Sequence, residues 1–596
     1  MQRFLKHTAA LVCLFVGLAA SPLVLAQGAS NFTPEWVERS NRIAHDVLEM
    51  SASFAPEFVG QMGIDGYDEE IFDLKPNLYE RQRAVNERKI AHLDELLAAE
   101  EDPRVRQDIE IMIKATREQM HEDQVNHERV LPYGSLPMLV FAGYNGLLDK
   151  QVPLDRQQAA LVRLKKYTGQ ADGYEPLTEL AKQRLTERLD EPDLIRPYAG
   201  EVQQDIERAP TLIAGLQSLF EGTELEGWEE DLARLSDQLT DYNAWVEATL
   251  LPIARPDAAL PRELYELQLR DFGVDDTPEQ LIRTGQVAFA DIRNEMMALA
   301  PLVAAERGWE TTDYRDVIGK LKEEQVPGDR LMAAYQDVMK ELDRIIERER
   351  LASLPDEPAR VRMATPAETA QSPAAHLDVP RLIGNTGEYP EFIVPDIPQN
   401  EDGSWQTSDY AFPAGFWTLS AHEARPGHEM QFTTMLRGGV STARALFAFN
   451  SANVEGWALY AEAIAKPYMP LDGQLLSLQA RLLRAARIWL DPMLNLNLIT
   501  AAEAKRVLME DVCEDEKNAQ TEIDRYTFRS PGQATAYYYG YETLQSLRAQ
   551  TELRLKDKFD ARAFHDFLLA QGLLPPDVLR DSVEQNFIAT FNPETR

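Results

Sequence analysis

Residues 420–432 read SAHEARPGHEMQF. Imidazoles and carboxylates packed this closely are the donor set of a divalent-cation site. A carboxylate beside such a cation can act as a base toward water. The usual arrangement is His-Glu-x-x-His, with histidines four residues apart on one helical face. Here His422 and His428 are six apart, and Pro426 and Gly427 lie between them.

The chain carries its own control. Residues 121–127, HEDQVNH, repeat the spacing inside a strongly helical pattern with no proline or glycine. A continuous helix advances about 100° per residue, so His121 and His127 point about 120° apart and cannot share an ion. They are expected to be solvated helix residues. At 422–428, proline removes a backbone donor and pushes Arg425 from helical geometry, while glycine opens turns closed to other residues. A two-residue bulge within one helix would restore the same-face spacing, so that His422 and His428 meet.

A catalytic zinc usually takes three protein ligands. The third is expected from NSANVEGWALYAEAIAKP, residues 450–467. Asn450 or Ser451 can cap a helix that stops before Pro467. Glu455 and Glu462, seven apart, share a face of that helix. Two carboxylates on an otherwise apolar helix are costly to bury unless paired or bound to metal. Gly456 and Ala458 leave room for a close neighbour. Glu423, beside the first histidine, is then the expected general base.

HEARPGHEMQ, VEGWALYAE and DRYTFRSPGQATAYYYGYE, in that order, resemble the bacterial domain of unknown function 885 family. The specific motifs lie between His422 and Tyr537. That family is distantly similar to helical zinc peptidases of the glutamate-ligand type, with a channel between helical lobes. The resemblance implies one Zn2+ ion held by His422, His428 and Glu455. It also implies that Glu462 supports a ligand histidine. Tyr537 is implied as donor to a tetrahedral oxyanion, with Tyr541, one turn on, as the alternative. Arg525 and Tyr526 match the third motif; Arg525 is assigned to substrate carboxylate binding or to structure. One position departs from the pattern: after Arg487 and Asp491 stands Asn495 where many members have histidine.

The rest of the chain holds these residues in place. Amphipathic helical patterns fill most of it: residues 79–120 with a break at Pro103, then 154–189, 201–220, 228–251 and 277–351. A proline-rich stretch at 252–261 suggests a boundary. The expected fold is mostly α, a large two-lobed helical architecture with a deep central channel. Its parts would be an N-terminal lobe at 27–255 and a catalytic lobe at 256–596. Prolines cluster at 354–420, where EFIVPDI is the β-prone run of a small element preceding the metal-binding helix. GEYPEFIVPD is a candidate edge strand for a substrate backbone, with an ordinary structural strand as the alternative.

The 596 residues are 44% hydrophobic, enough for a large core. The N-terminus reads as a signal peptide: Arg3 and Lys6, an apolar run, and small residues leading to cleavage near Ala26. Cys13 lies too early for a good lipoprotein box. The expected location is periplasmic or secreted, with no stable membrane anchor after cleavage. Only Cys513 then remains, in acidic surroundings that oppose a thiolate. A net charge of −37 disfavours nucleic acid and anionic membranes as partners. The expected function is an exported zinc metallopeptidase cleaving short peptides, with a peptide as partner. A metal-dependent hydrolase of other amides or esters, and a non-catalytic metal- or peptide-binding protein, are the alternatives. Oligomeric state is not legible.

Overall fold

The computed structural model describes residues 34–589, apart from 63, 149–151, 365–368, 370–373, 384 and 386–387. The expected signal peptide, its cleavage site at Ala26 and Cys13 lie outside the described residues. Among the described residues, no helix is long and apolar enough to cross a membrane.

The periodic runs fold as helices. Pro103 ends one pattern and opens the next. Leu78–Ala99 is one helix, and α1, Pro103–Arg129, follows with Asp102 accepting from Arg104 N at its start. His121 and His127 both lie within α1. His121 is exposed, but His127 is half-buried and stacks on Tyr79 at 4.1 Å, so only His121 is solvated as expected. The 277–351 pattern divides into α2, Pro278–Arg307, a short helix Tyr314–Lys322, and α3, Gly328–Arg348.

Three strands follow: β1, Arg360–Met363; β2, His376–Asp378; and β3, Glu391–Val394. Their order is β1-β3-β2, parallel to β1 and antiparallel to β2. Phe392 is opposite Val361 on one side and Leu377 on the other. EFIV is therefore the central strand, which corrects its placement as an edge. Both sides of its backbone are engaged, so it cannot accept a substrate by strand addition.

The remaining helices build the site: α4, Pro413–Glu423; α5, His428–Gly438; α6, Ser451–Ala465; α7, Leu471–Asn495; α8, Glu516–Asp524; and α9, Thr535–Leu555. One core joins α2 and α7 through Phe289, Met296, Leu482 and Leu490. A second, around Tyr144, Tyr167 and Phe220, belongs to the N-terminal third. A third wraps the site helices with Ala421, Met430, Trp457, Tyr460 and Leu544, and Ile111 of α1 reaches into it. Asp108 of α1, fully buried, accepts from Ser40 Oγ at 2.6 Å and Arg444 Nε at 2.8 Å. N-terminal helices and site helices thus share buried contacts across the proline-rich stretch.

Candidate metal centre

The two histidines converge, but not through a bulge. The first helix ends at Glu423. Ala424 leaves helical geometry at φ −98°, ψ −109°, and Gly427 takes φ −79°, ψ −133° before α5 begins at His428. The Arg425–Pro426 peptide is cis. Pro426-Gly427 thus separates two helices instead of re-phasing one, which corrects the expected local structure. A β-carbon on Gly427 would lie 1.9 Å from the His422 carbonyl oxygen, so only glycine lets the turn fold back this tightly.

Neighbouring groups fix the turn. Trp457 Nε1 of α6 donates to Pro426 O at 3.0 Å and to Gly427 O at 3.3 Å. Buried Arg425 pairs with Glu429 at 2.6 and 3.1 Å, and Thr433 Oγ1 donates to the same carboxylate. Trp457 is a site residue the sequence reading missed; its signal was its place directly after Glu455-Gly456.

His422 lies last but one on α4 and His428 first on α5, with ring centroids 4.8 Å apart and nearly perpendicular. Opposite them, Asn450 caps α6 by accepting from Asn453 N at 2.8 Å, and α6 presents Glu455 and Glu462. Glu455 Oε2 stands 3.4 Å from His428 Nε2 and 3.7 Å from His422 Nε2. The ligand atoms of His422, His428 and Glu455 all lie within 4.8 Å of one another. A second trio, His45, Asp46 and Glu49, is fully on the surface.

Glu462 sits two turns further on, fully buried. It accepts from His422 Nδ1 at 2.7 Å and from Thr418 Oγ1 at 2.6 Å. That hydrogen bond holds a proton on Nδ1 and leaves Nε2 facing Glu455. Burial raises the carboxyl pKa of both glutamates, but His422 and His428 hold Glu455 well below the usual range, and His422 with Arg484 holds Glu462 below it. Burial lowers the His422 pKa, yet Glu455 and Glu462 bring it up to about 9. His428 Nδ1 is buried without a hydrogen-bond partner among the described residues. Glu423 is 8% exposed, and its charge is felt by both His422 and Tyr410.

The third motif forms the opposite wall. Gly456 of α6 meets Gly540 of α9 backbone to backbone; a β-carbon on Gly540 would lie 1.8 Å from Ala452 O. This close crossing carries Tyr537 to within electrostatic reach of Glu455. Burial raises the Tyr537 pKa, Arg525 opposes that, and Glu455 adds to it. Arg525 Nη2 donates to Tyr537 Oη at 3.1 Å and also bonds Gln533. Tyr541, one turn on, has its hydroxyl accepting from Gln545 Nε2 at 3.1 Å.

Tyr526 and Asn495 are turned inward. Tyr526 is fully buried, and its hydroxyl donates to Glu522 at 2.7 Å. Glu522 pairs with Arg487 through two bonds of 2.7 Å. Burial raises the Glu522 pKa, but Arg487 and Arg525 bring it down to about 2. Asn495 Nδ2 donates to Asp491 O and Oδ1 at 3.1 Å and to Tyr526 O at 2.9 Å. Asp491 in turn accepts from Tyr265 Oη and from Gly532 N, so this network braces the Pro-Gly-Gln turn that opens α9. Both residues hold that turn in place. Cys513 is a free thiol whose pKa burial pushes up to about 11.

The sequence profile of a bacterial protein family of unknown function, DUF885, matches residues 56–583. The chain belongs to the DUF885 family. No curated protein matches it. Two solved structures share the fold across nearly the whole chain. One is described as a "putative lipoprotein of unknown function" from Shewanella oneidensis. It has a TM-score of 0.73 and 19% identity, over 93% of this chain and 100% of that one. The other is described as a "putative lipoprotein" from Colwellia psychrerythraea, with a TM-score of 0.74 and 18% identity over the same shares. This DUF885 chain thus shares its helical fold with both proteins, and its motif residues cluster around one His-His-Glu trio.

Proposed function

We propose that this DUF885 protein is an exported zinc-dependent peptidase that hydrolyses short peptides. The observation carrying the proposal is the spacing of the trio. Ligands about 2.0–2.1 Å from a tetrahedral zinc lie about 3.3 Å from one another. His428 Nε2 and Glu455 Oε2 are 3.4 Å apart, and His422 Nε2 and Glu455 Oε2 are 3.7 Å apart. These separations exceed the roughly 2.7–2.9 Å of a charge-assisted hydrogen bond and suit a shared cation. His422 Nδ1 is already engaged by Glu462, the support expected behind a metal-binding imidazole.

A zinc ion held by His422, His428 and Glu455 supplies Lewis acidity toward water and a scissile carbonyl. The chain's own groups do the rest. Glu423, on the residue following His422, takes the proton from the attacking water and returns it to the leaving amine. Tyr537, its hydroxyl oriented by Arg525, donates to the oxygen that gains charge in the transition state. Glu462 and Thr418 keep His422 oriented. Part of the same proposal is a channel between helical lobes at 27–255 and 256–596, through which a peptide reaches the site.

The test compares native and Glu423→Gln protein on peptide, amide and ester libraries, with metal content measured for both. Cleavage by native protein, and loss of cleavage with metal retained in the variant, is the expected result. Unchanged hydrolysis by Glu423→Gln refutes the base assignment, and cleavage of esters but not peptides refutes the substrate class.

A further inference from the structure

Beside the trio, α7 lines up buried polar atoms that no group among the described residues satisfies. Ser477, Arg481 and Arg484 follow at four and three residues, so they share one face of α7. Arg481 is 7% exposed, and its Nε and Nη2 have no hydrogen-bond partner among the described residues. Arg484 Nε is likewise unpartnered, and so is Ser477 Oγ, at 0% exposure. A buried guanidinium with no counter-charge is among the costliest groups a protein can hold. It is also uncommon in a chain of net charge −37, with 98 acidic side chains to choose from.

The face is placed by its neighbours. Arg481 lies over the Tyr541 ring at 5.3 Å, and Arg484 over the Tyr537 ring at 5.8 Å. Arg484 Nη2 is 4.0 Å from Glu462 Oε1, the carboxylate that orients His422. The nearby Arg487 is different: it is neutralised by Glu522. Arg484 thus shares its charge with Glu462, and the uncompensated charge is that of Arg481, one turn or about 5 Å further from the trio along the helix.

We infer that Arg481 and Arg484 seat the C-terminal α-carboxylate of the peptide substrate, with Ser477 Oγ at the far end of the seat. This rests on the peptidase proposal and narrows it. An extended residue spans about 3.5 Å, so a carboxylate one or two residues past the scissile bond reaches from the trio to this face. The enzyme then removes one or two residues from a free C-terminus. Arg481 acts on substrate binding and takes no part in bond breaking. The Tyr541 ring forms a wall of the seat, which gives that tyrosine a role separate from Tyr537.

The test is a binding measurement, so it does not depend on turnover. Calorimetric titration of Glu423→Gln protein uses an N-acetylated alanine tetrapeptide as free acid, as C-terminal amide, and as an amide with aspartate in the last position. The free acid is expected to bind at least tenfold tighter than the amide. Adding Arg481→Gln should bring that ratio close to one, and Arg481→Lys should restore part of it. Because the charge is uncompensated, Arg481→Met should raise the melting temperature of the ligand-free protein. Equal binding of acid and amide, or binding of neither, overturns the inference. So does a preference that survives Arg481→Gln, or an Arg481→Met variant that melts lower. The aspartate amide binding as tightly as the free acid overturns the assignment to the chain terminus. Metal content and cleavage by native protein, measured separately, show whether the peptidase proposal itself has failed.

Discussion

Gly427→Ala tests whether the Pro-Gly turn is what brings the histidines together. A β-carbon at Gly427 would lie 1.9 Å from His422 O, 2.5 Å from Ala421 O and 2.6 Å from His422 C. Side-chain carbons stay beyond 3.0 Å of such atoms, so the turn must open by about 1.1 Å. The clash is with backbone, and a rotamer change cannot relieve it. The cost is about 3 kcal/mol of stability, the upper end of the range for overpacked sites. The displaced atoms belong to His422 itself. Metal–ligand distances tolerate only about 0.2 Å, so zinc affinity should fall at least about 100-fold. Gly319, inside the short helix Tyr314–Lys322 with nothing within 4 Å of its built β-carbon, is the control. Gly319→Ala should be neutral or stabilising by up to about 1 kcal/mol. Urea denaturation of metal-free protein gives the stability change, and chelator competition gives zinc affinity. Gly427→Ala within about 0.5 kcal/mol of native, with unchanged affinity, would refute the reasoning.

Three further outcomes are expected. Glu462→Gln keeps the shape but weakens the support behind His422, so zinc affinity should fall about 10–100-fold in chelator competition. Tyr537→Phe should lower kcat on any cleaved peptide about 100-fold or more, with KM and metal content little changed. The third concerns pH. In metal-free protein the carboxylates of Glu455 and Glu462 overcome burial and bring the His422 pKa to about 9, above the ordinary value of about 6.5. The stability this contributes is fully present below about pH 6.5 and is lost as pH rises through about 9. A cation must displace that proton. Zinc binding should therefore tighten by up to about tenfold per pH unit below 9 and release a proton measurable with an indicator dye. Affinity independent of pH between 6.5 and 8.5 would contradict this.

The convergence of the site was legible because the chain contains the same spacing twice. HEDQVNH sits in one continuous helix with its histidines apart, while the Pro-Gly copy brings His422 and His428 together. What the sequence could not give was the form of the turn. A bulge and a helix break remove the same phase difference, and the choice is made by distant groups such as Trp457, which donates to both Pro426 and Gly427. EFIV was recognisable as a strand from its β-branched and aromatic residues. Its central position depends on pairing with β2, three residues at His376–Asp378 with no alternating pattern to announce them. Asn495 and Tyr526 were eligible for chemistry by residue type, and only packing shows that both hold the turn before α9. Arg481 reads as an ordinary charged position on an amphipathic helix until α9 covers it.

The most direct test of the central claim is metal content. Native protein prepared under zinc-replete conditions and stripped of loosely bound ions should hold one equivalent of zinc per chain. The His422→Ala/His428→Ala double variant, folded by circular dichroism, should hold none. No stoichiometric metal in the native protein, or equal metal in the double variant, would contradict the account.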